Sequence, residues 1–239
     1  IKNDTFAECS SIVQIIIPPS VKIIENYAFS KCRSLVQVFI PSSVTEIGYC
    51  AFSECSSLSQ VLINANIKTI ESGLFYECTS LTQLIIPSSV ERIKHDAFSR
   101  CKSLTQLIMP SSLRVIEYNA FGECSSLEEI IIPKSVFLIE NCCFKDCSSL
   151  KIIIILSPYI SYGYDVFKGC KLLINKPEYV PSYRKTSEYI SIPSYDYKID
   201  YELSCDIARL ILFSSIKLSS FFAYPLMTLI SVPSSVTSI

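Results

Sequence analysis

The chain has 239 residues, 49% of them apolar and only 18% charged, with a net charge of −1 and a pI near 6.0. No excess of positive charge offers a phosphate-neutralising face, so nucleic acid is not an expected partner. Five Gly form no G-x-G-x-x-G and no P-loop, which removes the usual nucleotide cradles and leaves no cofactor to expect.

From the start of the chain, eight Phe-x-x-Cys pairs recur at a step of 23 residues: Phe6/Cys9, Phe29/Cys32, Phe52/Cys55, Phe75/Cys78, Phe98/Cys101, Phe121/Cys124, Phe144/Cys147 and Phe167/Cys170. A period of that size predicts a stacked solenoid, because one unit cannot bury its own apolar face. Three residues after each of the first seven Cys begins an L-x-x-L-x-L unit, such as Leu35, Val38 and Ile40 or Leu81, Leu84 and Ile86. That spacing predicts short strands centred near Ile15, Val38, Val61, Leu84, Leu107, Ile130 and Ile153. Pro18, Pro41, Pro87, Pro110 and Pro133 then stop the strand, since proline has no amide to donate. The return segment adds two inward positions, as in Val44/Ile47 and Val90/Ile93, and a small residue such as Ala51 or Ala97 precedes the next Phe.

Ile1-Lys2-Asn3-Asp4-Thr5-Phe6 aligns with Ile24-Glu25-Asn26-Tyr27-Ala28-Phe29, so the chain opens inside a repeat. At the far end Val232 to Ile239 aligns with Ile40 to Ile47 and stops within one, so the chain reads as a fragment. Periodicity falters after Cys170, which divides the chain into a solenoid over 1–173, an irregular segment over 174–220 and a partial repeat over 221–239. A membrane span over 207–232 competes with the last assignment, but Arg209, Lys217 and Pro225 interrupt it.

The Cys column places one thiol per coil, which is a line rather than the convergent cluster a metal requires. Side chains in parallel register point the same way, so the column reads as reduced, buried thiols acting as small hydrophobes, and Cys143 reads likewise. Cys50 and Cys142 fall in a variable slot, where a reactive thiol stays open although nothing in the sequence supports one. His95, the sole histidine, shares a slot with Asn26, Tyr49, Ser72, Tyr118 and Asn141 and so reads as an exposed outer residue. Glu128-Glu129 reads as a charged patch, since consecutive strand residues face opposite ways. With no catalytic constellation, an enzyme is not expected.

Strings such as Ser80 to Cys101, SLTQLIIPSSVERIKHDAFSRC, resemble the 23-residue Treponema-type leucine-rich repeat of BspA-like surface proteins from bacteria and parasitic protists, over roughly 1–173. The resemblance implies an α/β solenoid: a right-handed superhelix with a concave parallel β-sheet. It also implies a surface or secreted adhesion role, with a host, matrix or microbial surface protein as partner. On that geometry two columns face the concave side: an amide ladder of Gln14, Gln37, Gln60, Gln83 and Gln106 followed by Glu129 and Ile152, and an apolar stripe of Ile16, Phe39, Leu62, Ile85, Ile108, Ile131 and Ile154. Exposed apolar stripes mark binding surfaces, although the same residues suit cross-strand packing. An intracellular interaction scaffold stays open, because unpaired Cys are at home in a reducing compartment. Membrane association is not decided by the sequence.

Overall fold

The computed structural model describes residues 1–174, and the expectations for 175–239, the membrane span included, lie outside the described residues. The predicted strands are all present, as β1 (Gln14–Ile16), β3 (Gln37–Ile40), β5 (Gln60–Ile63), β7 (Gln83–Ile85), β9 (Gln106–Ile108), β11 (Glu129–Ile132) and β13 (Ile152–Ile155). Between and after them run two-residue strands: β2 (Ile23–Ile24), β4 (Glu46–Ile47), β6 (Thr69–Ile70), β8 (Arg92–Ile93), β10 (Val115–Ile116), β12 (Leu138–Ile139) and β14 (Ser161–Tyr162). All pairings are parallel and each joins residues 23 apart, as in Val38 with Val61 and Ile116 with Ile139.

Alternation drives this register. Val38 and Ile40 are buried while Gln37 and Phe39 lie half-exposed between them, so a slip of one residue would turn the apolar set to solvent. The long strands form three hydrogen-bonded sets, β1-β3-β5, β7-β9 and β11-β13, where the sequence predicts one continuous sheet. β7 and β9 end at Ile85 and Ile108, one residue earlier than β5 and β11. The short strands form a second wall, in the order β14-β12-β10-β8-β6, with β2-β4 as a separate pair.

Among the described residues there is no α-helix, so the helical part of the α/β expectation is corrected. The cause is local. Two residues of nearly every coil sit in the left-handed region, for instance Cys50 (φ 54°) and Glu54 (φ 56°), or Asp96 (φ 57°) and Arg100 (φ 62°), and a right-handed helix cannot run through them. Non-glycine residues hold this geometry because the corner makes a backbone ladder of its own. Tyr27, Phe29 and Lys31 donate their N–H groups to the carbonyls of Tyr49 (3.1 Å), Ala51 (2.8 Å) and Ser53 (2.7 Å). At the strand end, the Pro41 carbonyl accepts from Val44 N–H at 3.1 Å and closes a turn. Where proline is replaced by Asn64 or Leu156, the restored amide bonds to Ile40 or Ile132 of the preceding coil, each at 2.9 Å.

The core is built from columns. Phe6, Phe29, Phe52, Phe75, Phe98, Phe121, Phe144 and Phe167 form one unbroken stack, with centroids 5.1 to 6.0 Å apart and ring planes within 18° of parallel. Phe29 through Phe144 are fully buried. Offset stacking of this kind adds about 0.5–1.5 kcal/mol per pair to the burial of the rings.

Candidate functional site

The solvent side of the long strands is the surface the sequence singles out. β3, β5 and β11 follow one pattern, in which the Gln or Glu that opens each strand and the third residue face outward while the second and fourth are buried. Gln14 is exposed, and Gln37, Gln60, Gln83, Gln106 and Glu129 are half-buried. In the apolar column Ile16, Leu62 and Ile85 are exposed, whereas Phe39, Ile108 and Ile131 are half-buried. Leu62 is 38% exposed and its neighbour Ile63 only 7%. The column continues to Ile154, and Ile152 takes the place of the amide, so the seventh coil presents two exposed Ile. At about 4.8 Å between strands the stripe runs about 29 Å.

His95 is exposed, as expected, but its neighbours come from other coils. Ser72 Oγ lies 3.2 Å from His95 Nδ1 and Glu117 Oε2 lies 3.9 Å from the same nitrogen. Catalysis by a Ser-His-acid set uses the two ring nitrogens separately, one for the nucleophile and one for the carboxylate. Here both partners converge on one nitrogen, and Glu117 is already held by Arg92 at 2.9 Å. The neighbouring Gly73 N–H, which could have stabilised an oxyanion, donates to the His95 carbonyl at 3.0 Å. The group is a cross-coil polar ladder. A similar one joins Arg100 to Glu77 (2.7 Å), Glu123 (3.1 Å) and the Tyr76 hydroxyl (3.0 Å).

The Cys column does more than fill space. Each thiol from Cys32 to Cys170 donates to the carbonyl of the Phe 26 residues earlier, at 3.0 to 3.2 Å. Sequence reasoning treats these residues as small hydrophobes and misses the bond, since nothing local signals a partner in the preceding coil. Burial pushes the Cys32 thiol up to about 11 and Cys55 up to about 12, and lifts Cys78, Cys101 and Cys124 well above the ordinary range. Cys142 is buried, and burial raises its thiol and that of Cys50, so neither slot carries an activated nucleophile. Among the described residues no cluster of His, Cys, Asp or Glu is arranged to hold a metal. No helix among them is long and apolar enough to cross a membrane.

A family model described as BspA type leucine rich repeat region, in six copies, matches residues 1–128, 69–190 and 123–239. No curated protein matches the chain significantly. Among solved structures, a leucine-rich repeat protein from Bacteroides ovatus is 28% identical, with a TM-score of 0.63, over 72% of this chain and 50% of that protein. This chain therefore spans half of its length. The T. pallidum leucine-rich repeat protein is 26% identical, with a TM-score of 0.46, over 67% of this chain and 78% of its own. A leucine rich cell surface protein from Faecalibacterium prausnitzii is 20% identical, with a TM-score of 0.36, over 76% of each chain.

Proposed function

The chain belongs to the BspA-type leucine-rich-repeat family, and from that premise we propose that it recognises a protein partner through the solvent side of its long strands, at the cell surface or after secretion. Members of this family are in general binding modules. The observation that carries the choice of face is the apolar column from Ile16 to Ile154, exposed at Ile16, Leu62, Ile85 and Ile154 and flanked by amides in the first five coils. Apolar side chains held on a rigid sheet present contact area at little entropic cost. The concave placement of this face belongs to the proposal, as does the partner class of host, matrix or microbial surface protein. A net charge of −1 speaks against nucleic acid.

One observation favours a second location. The column thiols from Cys32 to Cys147 are reduced, a state natural to a reducing compartment, where the same face would serve an intracellular scaffold. Biotinylation of intact cells of the source organism separates the two: surface labelling of the chain supports adhesion, and labelling only after lysis supports the scaffold. For the face itself, the test is binding to immobilised matrix and cell-surface proteins by wild type and by a Leu62→Lys/Ile85→Lys variant of unchanged melting temperature. Loss of saturable binding in the variant is expected. Equal binding by both proteins refutes the face.

A further inference from the structure

We propose that the long-strand face takes a peptide segment with a row of apolar side chains whose only charge is one basic residue, and that Glu129 reads that residue. This rests on the recognition reading above and names the chemistry of the partner. The first five coils present no charge on this face: the strands open with Gln, the preceding position is Val, Ser or Thr, and the third strand residue is Ile, Leu or Phe. Charge first enters in the sixth coil, at Glu128 and Glu129. Glu128 is neutralised by Lys151 at 3.0 Å. Glu129 has no ion pair and no side-chain hydrogen bond among the described residues.

Glu129 stands in register with Ile152, half-buried, on the column that every earlier coil fills with Gln. Many acids elsewhere are paired across coils, as Glu25 with Lys2, Glu91 with Lys68 and Glu77 with Arg100. A partner lying along the stripe as far as the sixth coil would strip water from this carboxylate, and covering an unpaired charge is costly. The matching partner therefore supplies a cation there, which adds selectivity and registers it along the stripe. A second copy of the same face does not fit. Turned about a two-fold axis at the central strand, it would set Glu129 opposite Gln37, and the Lys of this face, Lys151, is already engaged.

The test uses a phage-displayed library of linear peptides of about 16 residues, long enough to span five coils as a helix rising 1.5 Å per residue. Clones are selected on the wild-type chain and sorted by loss of binding to Leu62→Lys. Among clones that depend on Leu62, a shared Lys or Arg is expected. Their synthetic peptides should bind Glu129→Gln about fivefold more weakly, with the salt dependence of binding removed. The Gln variant restores the residue of the preceding coils, so folding is retained and checked by its melting temperature. Leu62-dependent peptides without a basic residue, or indifferent to Glu129→Gln, overturn the proposal and leave the recognition face standing. Should no clone depend on Leu62, the face and the proposal fail together.

Discussion

Replacing Phe98 by Ala tests the central stack at its middle. The ring is fully buried and lies between Phe75, at 5.6 Å and 18°, and Phe121, at 5.2 Å and 3°. Truncating a buried Phe costs about 3–5 kcal/mol through lost transfer energy and the cavity left behind. Two stacked contacts vanish with the ring, at about 0.5–1.5 kcal/mol each, which places the expectation near the top of that range. The first ring of the column gives an internal reference. Phe6 is half-buried and stacks on Phe29 alone, at 5.1 Å, so Phe6→Ala should cost about half as much. Denaturant unfolding of the two variants, followed by circular dichroism at equal slope, measures the difference. Equal losses, or a loss below about 1 kcal/mol at Phe98, would show that the column is not the continuous core described above.

Alkaline pH should unfold the chain early. Buried thiols such as Cys32 and Cys55 are raised from about 9 to about 11 and about 12, so the unfolded state loses protons that the folded state keeps. Stability is then whole below pH 9 and falls across pH 9 to 12, and a melting temperature flat through that window would contradict the burial. Leu62→Lys should leave the melting temperature within a few degrees while Ile63→Lys, one residue on, unfolds the coil, because a buried unpaired charge costs several kcal/mol. A thermal scan of each decides it. Gly73→Ala should destabilise, since its Cβ would meet Cys50 Sγ at 2.7 Å, and the added change Cys50→Ala should recover most of the loss in a double-mutant cycle. Left-handed geometry alone does not explain the glycine, because Cys50, Asp96 and Asn119 hold the same slot in neighbouring coils at φ between 52° and 57°.

How much of this was legible beforehand follows the range of the interactions. Strands centred at Val38 or Leu84 could be read because alternation is a local signal, and the Phe column because its period is plain. The return segment could not be read as helix or strand from two inward positions, and left-handed residues such as Tyr27 or Glu123 carry no glycine to announce them. The thiol bond from Cys101 to the Phe75 carbonyl needs the pitch of the coil before it can be foreseen. His95 shows the same limit: its polar neighbours Ser72 and Glu117 come from adjacent coils and not from its own stretch of sequence. The outward columns at Gln37/Phe39 and Gln60/Leu62 were foreseen because they are the complement of the buried alternation.

The corner ladder makes the stack electrically directional. In coil after coil the amides at Asp4, Phe6 and Glu8, then Tyr27, Phe29 and Lys31, all point toward the following coil, and the carbonyls that receive them all point back. Peptide dipoles so aligned add along the stack axis, as they do in an α-helix but with the opposite sense relative to the chain: amide hydrogens lead toward later residues instead of earlier ones. Parallel strands, whose groups alternate, contribute no such sum. An array of this kind therefore carries a dipole moment along one edge that grows with each added coil, built from turn residues that a secondary-structure description would pass over as irregular.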